Sequence, residues 1–222
     1  MSSAPNAPRL LKGGLVLIDA GSSAVQRIIT LQYNPDTLSR TLQTQSFSAG
    51  SEGGNRSEAL RLKGPPIETI KLDAEIDATD ALEHPDQNAN TVRFGIAPQL
   101  AVLAALVNPT TAELDALNAL SKSGTLEILP AEAPLVLFVW SPSRVVPVRV
   151  TDFSITEEAF DAQLNPLRAK VSLGLRVMTT DDLGFDHRGS SVFLSHLRTR
   201  EALATKTGAA SLESLGLTRL PQ

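Results

Sequence analysis

The sequence predicts a mainly β protein with one packed helix and a helical C-terminal tail. Three observations carry that prediction. Apolar side chains recur at every second residue over long stretches, most clearly from Leu167 to Val177. One stretch, Phe94 to Pro109, changes to the three-and-four spacing of a helix, and clusters of Gly, Pro, Asn and Ser punctuate the chain between the periodic segments. In the strand pattern, Leu167, Ala169, Val171, Leu173, Leu175 and Val177 share one face, while Arg168, Lys170, Ser172, Gly174 and Arg176 share the other.

Taken in order, residues 1–9 read as a flexible arm, since Met1–Pro8 lacks the basic and apolar regions of a secretory signal. Gly14–Ala20 and Val25–Tyr33 are aliphatic and β-branched around a turn-prone Gly-Ser-Ser, which predicts a hairpin. Asn34–Thr37 supplies turn chemistry, and Leu38–Phe47 reads as a third, more polar strand. Ser46–Pro66 is glycine-rich with few apolar anchors, so it is either a contact segment or disordered.

Ile67–Asp80 alternates again, with Leu72, Ala74 and Ile76 opposite Lys71, Asp73, Glu75 and Asp77. After a break at His84–Asn90, Leu100, Leu103, Leu106 and Val107 define a buried helix that Asn108 and Pro109 end, and Thr110–Gly124 adds a helical turn or two. Leu135–Trp140 is a continuous apolar run, expected of a strand buried on both faces, and Ser-Pro-Ser turns it. In Arg144–Phe160, Val146, Val148 and Val150 alternate with Pro147 and Arg149, and Pro147 predicts a bulge or an unpaired edge. Asp161–Pro166 turns the chain into the last strand. In the tail, Ser190 or Ser191 is a candidate cap for a helix carrying Val192, Phe193, Leu197 and Leu203.

Composition narrows the function. With 222 residues, 42% hydrophobic and 20% charged, the chain can bury a core as one large or two small domains. Aromatic residues make up only 4%, which argues against a stacking platform for bases or sugars. A net charge of -4 gives no field that would draw the chain to nucleic acid or anionic lipid. No apolar run approaches the roughly 20 residues that cross a bilayer. The absence of cysteine removes disulfides, thiolate metal sites and cysteine nucleophiles.

Chemistry-bearing residues are sparse. His84, His187 and His196 show no metal-ligand spacing and read as surface residues. The glycines of residues 50–54 lack a following Lys-Ser or Lys-Thr, and no Gly-x-Ser-x-Gly elbow occurs. Asp73, Glu75 and Asp77 suit a cation site or an acid-base pair on paper, but alternate acids on a wet strand face give the same pattern. No catalytic, cofactor-binding or metal residue is therefore assigned, and an enzyme is poorly supported. The most organised charged feature is Arg144, Arg149, Arg168, Lys170 and Arg176 on two consecutive strands. It is either a solvated face or a border shared with neighbouring subunits. A stand-alone β-sandwich that binds carbohydrate or peptide is the alternative function, and a hydrolase using the Asp73 face is a third.

Several stretches resemble a known family. They are "LQYNPDTLSRTLQ" (31–43), "GPPIETIKLDAEIDATD" (64–80), "GIAPQLAVLAALV" (95–107), "PLVLFVW" (134–140) and "VPVRVTDFSITEEAFDAQLNPLRAKVSLGLRVMT" (146–179). In order and spacing they resemble the baseplate hub and tube-initiator proteins of extracellular contractile injection systems, of the antifeeding-prophage and Photorhabdus-virulence-cassette type. The resemblance implies a phage tail-tube-like β-sandwich or barrel over residues 10–183, with 46–66 as a long flexible loop and 184–222 as the C-terminal helical tail.

It further implies a structural role in a hexameric ring that links the spike to the inner tube. The partners would be further copies, the tube protein, the spike and other baseplate subunits, with no cofactor, nucleic acid or membrane. The setting would be the bacterial cytoplasm during assembly and then a phage tail-like particle. Many relatives append a LysM domain, whose pattern the tail after Thr179 lacks. On this resemblance Arg149, Arg168, Lys170 and Arg176 face the lumen or the next ring, and Ser51, Glu52, Asn55 and Arg56 lie in an inter-subunit loop.

Overall fold

The computed structural model describes residues 11–19, 21–45, 61–122, 133–208 and 210–220. Its strands are β1 (Gly14–Ile18), β2 (Val25–Thr30), β3 (Leu38–Gln43), β4 (Ile67–Asp77), β5 (Leu135–Ser141), β6 (Arg144–Phe160) and β7 (Pro166–Val177). They form one seven-stranded sheet in the order β2-β1-β5-β6-β7-β4-β3, with every neighbouring pair antiparallel. The fold is mainly β, and the predicted first hairpin and the alternation of β4 and β7 are present. β3 is a strand as well, but it pairs with β4 at the far edge of the sheet.

Helices are more numerous than the packed helix, the helical turn or two and the tail helix expected. The chain carries α1 (Thr79–Leu82), α2 (Ala89–Phe94), α3 (Ala97–Ala104), α4 (Thr111–Lys122), α5 (Thr180–Leu183) and α6 (Arg188–Ala204). α3 is the core helix, burying Leu100 and Leu103, while Val107 is exposed beyond its end. α4 runs longer than the expected turn or two because Thr110 and Glu113 close a reciprocal cap: Glu113 Oε2 accepts from the Thr110 amide at 2.7 Å and Thr110 Oγ1 accepts from the Glu113 amide at 3.2 Å. α6 begins before the two serines expected to cap it. His187 Nδ1 accepts from the Gly189 amide instead, and Ser190 is buried inside the helix with its hydroxyl on the Gly184 carbonyl.

One core unites the sheet with α3 and α6. Ala169, Val171, Leu173, Leu175 and Val177 of β7 are almost wholly buried and join Ile70, Leu72, Phe138, Val146, Val148, Leu100 and Phe193. Each larger aliphatic side chain stabilises the fold by roughly 1.5–3 kcal/mol on burial, before the entropy of ordering is set against it. β5 is less buried than its apolar run suggests: Leu135 and Phe138 are inside, and the remaining positions are half-buried.

Two irregularities of β6 hold the register. A bulge lies between Val150 and Asp152, where Thr151 is the extra residue, so Val148, Val150, Phe153 and Ile155 all stay on the core side despite their uneven spacing. Pro147 is not at that bulge. It is fully buried and stands opposite Leu137 of β5. Its carbonyl accepts from the Met178 amide at 2.9 Å, while the ladder to β7 starts only at Val148 and Val177. In an antiparallel strand the N–H and C=O of a residue point the same way, so the missing donor of Pro147 faces the spot where β7 has ended.

The sheet also curls. The side chain of Gln32, just past β2, donates to the Asp77 carbonyl at 2.8 Å and accepts from the Asp77 amide at 2.9 Å. Its amide group thereby takes the place of a neighbouring strand at the end of β4. The Tyr33 hydroxyl reaches Asp80 at 3.1 Å beside it.

Candidate assembly surface

The face of β4, β7 and β6 opposite the core is charged, and register decides what each charge meets. On β4, Asp77 stands opposite Arg168, Glu75 opposite Lys170 and Asp73 opposite Ser172; on β6, Glu158 stands opposite Arg168 and Arg149 opposite Arg176. Arg168 Nε lies 2.6 Å from Asp77 and 3.7 Å from Glu75, Lys170 lies 3.0 Å from Glu158, and Arg176 lies 2.7 Å from Asp182. Ser172 donates to Asp73. Arg149 is exposed and makes no ion pair with a described residue.

The stripe that reads as basic along β7 is therefore a mixed lattice, because its partners sit on β4 and β6. Periodicity along one strand cannot reveal which residue stands across from it. Pairs this exposed add little to stability, since water screens the attraction and ordering two long side chains offsets much of it. Asp77 is held below its ordinary carboxyl range, first by the Thr79 hydroxyl and with further help from the Thr79 amide and Arg168. Asp73, Glu75 and Asp77 thus serve as ionic and hydrogen-bonding partners of this lattice. Ser51, Glu52, Asn55 and Arg56 lie outside the described residues.

Among the described residues the sheet leaves three open lengths of strand with exposed apolar side chains, besides Asp73–Ile76 of β4, which lie beyond the ladder to β3. β2 and β3 form its two edges. The third is the distal half of β6, which pairs with β5 only as far as Val148 and from Asp152 onward pairs with β7 alone. β7 itself is flanked by β6 and β4 along its length, so it offers no border to another chain, contrary to the expectation that both long strands do. The open lengths carry apolar side chains into solvent: Val25 and Ile28 on β2, Leu42 on β3 and Phe160 on β6, with Leu164 in the following turn.

At the other end of the sheet lies a cluster that sequence reading missed. Glu68 is buried on the core side of β4, and its Oε1 accepts from Arg40 Nε of β3 at 2.7 Å. Arg200 of α6 approaches the other carboxylate oxygen at 3.5 Å. Arg144 of β6 and His196 of α6 complete the group, both with pKa values lowered first by burial. The signal was present, since Glu68 occupies an inward position in the series Glu68, Ile70, Leu72, Ala74. His196, read as a surface residue, is 7% exposed.

Among the described residues no group of three or more His, Cys, Asp or Glu is placed to hold a metal ion, and no helix is long and apolar enough to cross a membrane. The model of the contractile injection system tube protein family matches residues 18–185. The chain belongs to that family. It is a tube-type, structural component of a contractile injection system, and the match spans β2 to β7 with only the last residue of β1. Among solved structures, a chain from the tail of an empty GTA particle, computed with helical refinement in C6 symmetry, aligns with 75% of this tube protein and 90% of its own length. The identity is 15% and the TM-score 0.28. No curated protein matches the chain.

Proposed function

We propose that this tube protein is the ring-forming initiator or adaptor of a contractile injection baseplate, joining the spike to the inner tube as a hexamer. The observation that carries ring formation is the set of open strand lengths, β2, β3 and distal β6, in a chain of the tube family. An uncovered strand edge with apolar side chains is a pairing surface, and closure with identical copies is the way such edges are removed. The sixfold number and the position at the baseplate rest on the resemblance of the sequence to initiator proteins.

In that ring the face free of α3 lines the lumen. Arg149, Arg168, Lys170 and Arg176 stand there among Asp73, Glu75 and Glu158, as a hydrated mixed-charge wall. The experiment is to measure subunit mass in solution and copy number in purified particles. An initiator forms closed rings and is present at one ring per particle whatever the particle length. A copy number that scales with length would make it the trunk tube instead, and a monomer that never associates with tube or spike would overturn ring formation altogether.

A further inference from the structure

The cleft between α6 and the β5–β6 hairpin is polar in an unusual way. It has a volume of about 300 Å³, and its polar lining is Ser143, Arg188, Ser191, Ser195, His196 and Thr199. That is four hydroxyls, one guanidinium and one imidazole, and among the described residues no carboxylate lines it. Arg188, Ser191, Ser195 and Thr199 follow one stripe of α6, being three or four residues apart.

Two observations show that the cleft lacks its complement. His196 is more than nine-tenths buried, yet both ring nitrogens are shielded from solvent without a hydrogen-bond partner. The Ser143 backbone lies near the ring, but no bond of ordinary geometry forms. Buried polar atoms are nearly always satisfied, so a pair of orphaned ring nitrogens in one side chain asks for an occupant. Charge gives its sign. Behind His196, Arg40, Arg144 and Arg200 share the single carboxylate of Glu68, and Arg188 adds a further cation at the mouth. Water in the cleft would leave the positive excess standing, and a cation would add to it.

We propose that this cleft binds a small oxoanion or a carboxylate group, held by Arg188 and the α6 hydroxyls beside the buried His196 imidazole. The group is either free in solution or borne by a side chain of a neighbouring copy. The site stands independently of the ring reading.

Binding is coupled to a proton. Burial first, then Arg200, holds the empty-site His196 pKa below its ordinary value, and Arg40 acts in the same sense while Glu68 and the Ser143 backbone oppose it. An anion in the cleft reverses the balance and favours imidazolium, so affinity rises as pH falls.

The test is an NMR titration of the imidazole resonances in the full chain, with inorganic phosphate and acetate added separately to a buffer free of oxoanions. His84, exposed and remote in the fold, is the control. The expected result is a change at His196 alone, with its titration midpoint rising by about one pH unit, which corresponds to roughly tenfold tighter binding to the protonated ring. The Arg188→Gln, Ser195→Ala double variant, altered only at exposed positions, should lose the shift.

If the midpoint also rises on assembly in oxoanion-free buffer, the group is a neighbour's carboxylate. If only added phosphate or acetate moves it, the ligand is a free anion. A His196 signal that neither anion nor assembly moves, or a shift that the double variant retains in full, would overturn the site. The wild-type titration decides this even if the variant fails to fold.

Discussion

Gly95 shows how much a single residue can fix. Its φ is +57°, and an added Cβ would overlap the Pro166 carbonyl oxygen, the same oxygen that accepts from the Ile96 amide at 2.8 Å. That contact docks the helical segment onto the start of β7. Gly95→Ala combines a disfavoured backbone with an overlap and should cost about 3 kcal/mol or more, read from urea unfolding.

Glu68 is a second residue of this kind. Glu68→Ala leaves Arg40, Arg144 and Arg200 without their shared anion, and a loss of roughly 3–5 kcal/mol is expected in the same measurement. The third test concerns Asp77. Its folded-state pKa is depressed below the ordinary 3.8, so its contribution is complete above that value and is lost as pH falls through the lower folded value. Asp77→Asn should flatten that acid limb of the stability curve; an unchanged limb would show that the Thr79 and Arg168 contacts carry no weight.

Among elements, β6 separates what periodicity reveals from what it hides. Its valines announced a strand with a buried face, yet the bulge at Thr151 reverses the phase, and only the placement of Phe153 opposite Leu173 and of Ile155 opposite Val171 discloses it. β7 was legible in full on its inward side because five consecutive inward positions are apolar. Its outward side was legible as charge but not as pairing, since Asp77, Glu75 and Glu158 come from neighbouring strands that a reading along β7 alone does not reach. The buried Glu68 group was hidden for the same reason, being assembled from β3, β4, β6 and α6.

Arg168→Glu with Lys170→Glu sets like charges beside Asp77, Glu75 and Glu158; it should move the urea midpoint only slightly, because these pairs are exposed, but should weaken ring assembly in a mass measurement. Ile28→Lys on β2 changes a side chain that is 64% exposed, so stability should move by only about 0.5 kcal/mol. Assembly should fall if β2 is a contact edge, and an unaltered ring would remove β2 from the interface.

For the molecule as a whole, the Gln32 amide ties the segment after β2 to the end of β4. By occupying the donor and acceptor of Asp77, it ends the roll with a side chain where a backbone would otherwise continue. That tie lies within a single chain and needs no companion. On the ring reading, the bore of the finished conduit is inherited from a shape that every monomer already carries, and no outside gauge has to measure it.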